Sequence, residues 1–131
     1  MTTRIISSST QAANQLQAYM KYLDHDELWA LYLAQDNRLI SQEMLTKGSL
    51  TSTIIEPRSI IKRALLKNAV SVILLHNHPS GNPMPSVSDI NQTAKIRLAC
   101  QVMDLKLIDH LVIAHDSFFS FAEERTMKLN Q

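Results

Sequence analysis

Val70-Ser71-Val72-Ile73-Leu74-Leu75-His76-Asn77-His78-Pro79-Ser80-Gly81 runs on to Pro85-Ser86-Val87-Ser88-Asp89, and this stretch decides the fold. Val70 to Leu75 is an apolar run rich in β-branched residues, of the length of a buried strand rather than a helix. On an extended chain, side chains two apart point to the same side. His76 and His78 therefore present both imidazoles to one point at the strand's end, and Asn77 faces away. Pro79, Gly81, Pro83 and Pro85 forbid regular structure in the residues that follow. Ser86-x-x-Asp89 then opens an amphipathic helix as a capping box. Strand, tight loop and helix start in that order can bring Asp89 to the two histidines. Two imidazoles, one carboxylate and an open fourth position suit a catalytic zinc ion. A competing reading makes Asp89 only the N3 acid of its helix, worth about 0.3–1 kcal/mol through the helix dipole. The two roles fit one carboxylate poorly.

His76-x-His78, then seven residues, Ser86, two residues and Asp89 resembles the JAMM (MPN+) metalloprotease signature. The fuller string His-Asn-His-Pro-Ser-Gly-x-x-x-Pro-Ser-x-x-Asp is similar to the RadC branch of that group. Gly48, Pro57-Arg58, Asn68-Ala69, Asp109-His110 and Ser120-Phe121 fall where RadC-like proteins carry similar residues, so the resemblance covers roughly Glu27 to Glu123. The resemblance does not take in the amino-terminal helix-hairpin-helix region usual in full-length members, so a catalytic-type domain alone is expected. The resemblance implies a cytidine-deaminase-like three-layer α/β/α fold, a zinc ion and hydrolysis of an amide bond in a peptide or isopeptide.

At 131 residues the chain suits one domain, spanning 1–131 with a core of about 8–123. Its 45% hydrophobic and 19% charged residues carry no disorder signature. A formal net charge of +1 supplies no long-range attraction for a polyanion, so strong general DNA binding is not expected. Cys100 stands alone, which excludes an internal disulfide and a cysteine-rich zinc site and fits a reducing cytoplasm. No apolar run approaches a membrane span, and Met1-Thr2-Thr3-Arg4 is not followed by a signal-type core. An intracellular, cytoplasmic protein is expected.

Ser7 to Thr10 offer helix caps, and Ala12, Leu16, Met20 and Leu23 recur at helical spacing. Leu28 to Leu33 reads as a strand, Gln35-Asp36-Asn37 as a turn, and Arg38-Leu39-Ile40 as the start of a return strand towards Thr46. Gly48 ends it, and Leu50 to Ile55 add a short extended segment. Pro57 stands at a helix N1, with Ile60, Ile61, Ala64 and Leu65 as its apolar face; Arg58, Lys62, Arg63 and Lys67 read as a solvated face. Beyond the loop, Ile90, Ala94, Leu98 and Val102 mark the buried side of a helix ending near Met103. Asp104 to His115 is one strand or two, Phe118 to Phe121 a short last strand, and the tail from Glu123 frays. Together these give a mixed sheet with helices on both faces.

A zinc hydrolase needs a base that is not itself a ligand. Glu27 is the choice because it edges the strand Leu28 to Leu33 and because the JAMM glutamate sits where the first helix gives way to the first strand; Asp26 is the fallback. Ser86 either caps its helix or, as the matching serine does in JAMM enzymes, donates to the oxyanion of a tetrahedral intermediate. Asp109-His110 reads as a buried pair satisfied within the sheet, with a role behind a ligand imidazole as the second option. Asn77 shapes the loop or faces the substrate, and His25 and His115 have no visible partner.

Nucleobase deamination would need His-x-Glu and Pro-Cys-x-x-Cys, which a single cysteine excludes. Two alternatives stand beside the hydrolase: a DNA-repair-associated role, which the RadC family name suggests and which steeply salt-dependent DNA affinity would reveal, and a metal-bearing interaction module without turnover.

Overall fold

The computed structural model describes residues 4–48 and 56–129. Its strands are β1 (Glu27–Leu33), β2 (Leu39–Lys47), β3 (Ser71–Asn77), β4 (Lys106–Ile113), β5 (Ser117–Ser120) and β6 (Arg125–Lys128). They form one sheet in the order β2-β1-β3-β4-β5-β6. β1 pairs antiparallel with β2 and with β3, whereas β3 and β4 run parallel. Parallel neighbours need a crossover, and the helix that opens at the proline loop supplies it.

The helices are α1 (Ser9–Met20), α2 (Pro57–Leu66) and α3 (Val87–Val102). Ala12, Ala13, Leu16 and Met20 of α1 pack on Leu31, Leu33, Ile73, Leu75, Leu111 and Ile113 on one face of the sheet. Ile60 and Ala64 of α2, with Ile96 and Cys100 of α3, cover Leu28, Ala30, Tyr32, Val72 and Leu74 on the other. The architecture is therefore the expected three-layer α/β/α arrangement with a mixed sheet. Every residue of β3 is buried, as its apolar sequence requires of a central strand covered on both sides. Among the described residues, no helix is long and apolar enough to cross a membrane.

Pro57 sits in the first turn of α2, and Ser8 caps α1 through the Gln11 amide. The first helix stops at Met20 rather than Leu23, which packs against the core from the following turn. Arg63 does not simply face solvent: its Nη1 meets Glu43 Oε1 of β2 at 2.9 Å, and Lys67 pairs with the same carboxylate. Leu65 is half exposed rather than part of the buried face. The extended segment expected at Leu50 to Ile55 lies outside the described residues.

Two further expectations are corrected. The buried residues of α3 are Asp89, Thr93, Ile96 and Cys100, whereas Ile90, Ala94, Leu98 and Val102 face outward. Both sets have helical spacing, and the capping box settles the register by turning Asp89 inward. The tail does not fray at Glu123: Glu124 turns with φ 55°, and β6 pairs with β5, Met127 opposite Phe118. Met127 packs against the α1-side core, which anchors this otherwise polar edge strand.

Candidate metal centre

His76 is the penultimate residue of β3 and is fully buried; His78 follows just beyond the strand and is partly exposed. Asp89 stands in the first turn of α3. His76 Nε2 lies 3.5 Å from Asp89 Oδ1, and His78 Nε2 lies 3.2 Å from both Asp89 Oδ2 and His76 Nε2. One ligand atom from each of the three residues falls within 4.8 Å of the others, so this cluster could bind a metal ion. The tautomer of His78 supports the fit. Its Nδ1 is 2.8 Å from the Asn82 carbonyl, which can only accept, so Nδ1 carries a proton and Nε2 is the ring nitrogen left to face Asp89 and His76.

Capping the helix does not turn Asp89 away from the histidines, so the two roles do not exclude each other. Its Oδ2 accepts from the Ser86 amide at 2.8 Å, the Ser86 hydroxyl accepts from the Asp89 amide at 3.0 Å, and the carboxylate still faces the two imidazoles. Two oxygens with several lone pairs allow this. Burial would raise the Asp89 carboxyl, but His76, His78 and the Ser86 amide outweigh it and hold it well below the usual carboxylate range. On His78 the Asp89 carboxylate, with the Asn82 carbonyl, overcomes burial and raises the imidazole.

The cluster opens to a pocket lined by Asp26, His78, Pro79, Ser80, Ser86, Ser88 and Asp89. The Ser86 hydroxyl, spending one lone pair on the cap, keeps its own proton free to donate into this pocket. Gly81 holds the loop's turn at φ +86°, with its amide donating to the His78 carbonyl; a Cβ there would sit 2.8 Å from His115 Nδ1. His115 thus packs behind the loop, a contact that nothing in the sequence announces.

Glu27, 2% exposed, does not line that pocket. Its two oxygens accept from Tyr19 Oη at 2.9 and 3.0 Å and from Trp29 Nε1 at 2.9 Å, and His25 Nε2 lies 2.6 Å away. Burial raises this carboxyl, and Trp29, His25 and Tyr19 together bring it below its ordinary value. Asn77 explains the placement of this corner. Its Oδ1 accepts from the Glu27 amide and its Nδ2 donates to the His25 carbonyl, both at 2.8 Å, so it clamps the backbone on either side of Asp26 to the end of β3. It is a brace rather than a substrate contact.

Asp109 and His110 divide the two roles weighed for them. Asp109 is satisfied within the fold by the Ser9 and Ser120 hydroxyls and the His110 and Ala122 amides. His110 reaches the candidate ligand: its Nε2 is 2.6 Å from His76 Nδ1, its Nδ1 is 2.6 Å from Thr93 Oγ1, and Phe121 stacks on its ring. In the sequence, only its position four residues after Asp89 on α3 points to Thr93.

An α/β/α sheet with a His, His, Asp cluster at the end of its central strand narrows the class, and comparison with known proteins gives the family. The family model described as the RadC-like JAB domain matches residues 6–127, so the chain belongs to that family. The UPF0758 protein YfjY of Escherichia coli (strain K12) is 44% identical over 122 residues, 92% of this chain and 76% of that protein. UPF0758 proteins of Pasteurella multocida and Flavobacterium johnsoniae are 41% and 40% identical, over 95% and 91% of this chain. The chain spans 56% and 52% of those two proteins. None of these names states an activity.

Proposed function

We propose that this domain is a zinc-dependent hydrolase of peptide or isopeptide amide bonds, with His76, His78 and Asp89 as its metal ligands. The observation that carries the reading is the convergence of three ligand atoms beside an open pocket. Zinc held there would supply Lewis acidity and lower the pKa of a ligated water to about 7. The chain's own groups do the rest. The Ser86 hydroxyl, rigidly aimed by its cap, donates to the developing oxyanion. Glu27, the base implied by family resemblance, takes the proton from water and passes it to the leaving amine.

A second assignment of the base has a specific observation in its favour. Asp26 lines the pocket, whereas the Glu27 oxygens are held by Tyr19, Trp29 and His25. Asp26 as the base leaves Glu27 to fix the corner.

The test is turnover of a peptide and isopeptide panel by zinc-loaded protein beside Ser86→Ala, Glu27→Gln and Asp26→Asn. Ser86→Ala is expected to keep its zinc and lose roughly 100- to 1,000-fold in rate, the cost of one oxyanion donor. The acid whose amide variant keeps zinc and abolishes turnover is the base. Undiminished turnover in both amide variants contradicts the mechanism.

A further inference from the structure

Three hydrogen-bond contacts run in line behind His76, the last two short: Thr93 Oγ1 to the Asp89 carbonyl at 2.7 Å, His110 Nδ1 to Thr93 Oγ1 at 2.6 Å, and His76 Nδ1 to His110 Nε2 at 2.6 Å. All three are buried, and heteroatoms this close need a proton between each pair. The carbonyl has none to give, so the first proton is the Thr93 hydroxyl's. That hydroxyl has only one, so His110 must supply the second from Nδ1, which leaves its Nε2 bare. His76 must then supply the third from Nδ1. Three contacts use three protons, and the obligate acceptor at one end fixes the direction of the whole chain. In the reverse sense, two oxygens would stand 2.7 Å apart with nothing between them.

We propose that Thr93 and His110 are positioning residues, forming a buried relay from the Asp89 carbonyl that holds His76 in the Nδ1–H form with Nε2 bare towards His78 and Asp89. The inference deepens the metal reading above and rests on it for its purpose. The relay starts at the backbone of one candidate ligand and ends at the ring of another, so α3 both supplies the carboxylate and orients the imidazole. It also explains why α3 buries a threonine at position 93: the hydroxyl is the one group there that both accepts and donates. Phe121, stacked on the His110 ring at 4.9 Å between centroids, keeps the middle of the relay in plane.

The test uses Thr93→Val, which keeps the shape and removes the hydroxyl, and Thr93→Ser, which restores it. Zinc affinity by chelator competition is expected to fall 10- to 100-fold in Thr93→Val, the usual cost of losing a partner behind a ligand, and to return to within about threefold of wild type in Thr93→Ser. In the metal-free protein, long-range proton–nitrogen correlation spectra should show His76 protonated at Nδ1 in wild type and Thr93→Ser, with that pattern lost in Thr93→Val. Wild-type affinity together with an unchanged His76 pattern in Thr93→Val overturns the relay. Equal weakening in both variants, tracking a lower metal-free melting temperature, also overturns it, since the effect is then structural. A His76 Nδ1–H pattern that depends on Thr93, in a protein that binds no zinc, upholds the relay while the metal reading fails.

Discussion

At the scale of single residues, the site is built from side chains that answer two demands at once. Asp89 caps α3 and faces two imidazoles, and Asn77 closes β3 while bracing the backbone around Asp26. Asn77→Ala strands the Glu27 amide, which is buried in that bond, and is expected to cost about 1–3 kcal/mol in denaturant unfolding. Loss of less than about 0.5 kcal/mol would mean that the corner stands without its brace. The His25 and Glu27 pair gives a pH dependence with a defined sign. The Glu27 carboxyl is lowered from 4.5, so its contribution is complete above that value and lost as pH falls through the lowered one. The His25 imidazole is raised from 6.5, by Asp24 first and Glu27 second, so its contribution is complete below 6.5 and lost as pH rises through the raised value. Both are present between 4.5 and 6.5, so the pair's own contribution, read as the melting temperature of wild type minus that of a variant lacking one partner, should be largest there. Glu27→Gln should flatten the acid side and His25→Gln the alkaline side; an unchanged profile in both variants contradicts the pairing.

At the scale of elements, α3 is the informative case. Ile96 is buried and Leu98 is 65% exposed. Ile96→Ala should therefore cost about 2–5 kcal/mol, and Leu98→Ala no more than about 0.5 kcal/mol. The opposite order would restore the register read from hydrophobic spacing. That reading failed because α3 carries apolar residues on two faces, and the buried face begins with polar Asp89 and Thr93, which a search for apolar periodicity passes over. By contrast, β3 and the capping box were legible because an apolar run and a Ser-x-x-Asp signal are local. The hairpin of β1 and β2 was legible for the same reason. The part played by His110 was not, since its partner lies 34 residues away and meets it only through the parallel pairing of β3 with β4. The short strand β6 hid in a polar tail because a four-residue edge strand needs only one inward residue, Met127, to hold it.

At the scale of the whole molecule, the candidate ligands come from both ends of the proline loop, so an ion there would pin the end of the central strand to the start of the crossover helix. Unfolding separates those ligands, and binding to the folded form alone should stabilise it by about 2.7 kcal/mol at a zinc concentration 100 times the dissociation constant. A clear rise in melting temperature with zinc, reversed by chelator and absent in His78→Ala, is the expected result. The most direct measurement of the central claim is the metal content of purified protein, wild type beside His76→Ala and Asp89→Ala. About one zinc per chain in wild type and a large loss in both variants is predicted. A full complement of zinc in Asp89→Ala would make that carboxylate a helix cap alone and contradict the three-ligand site.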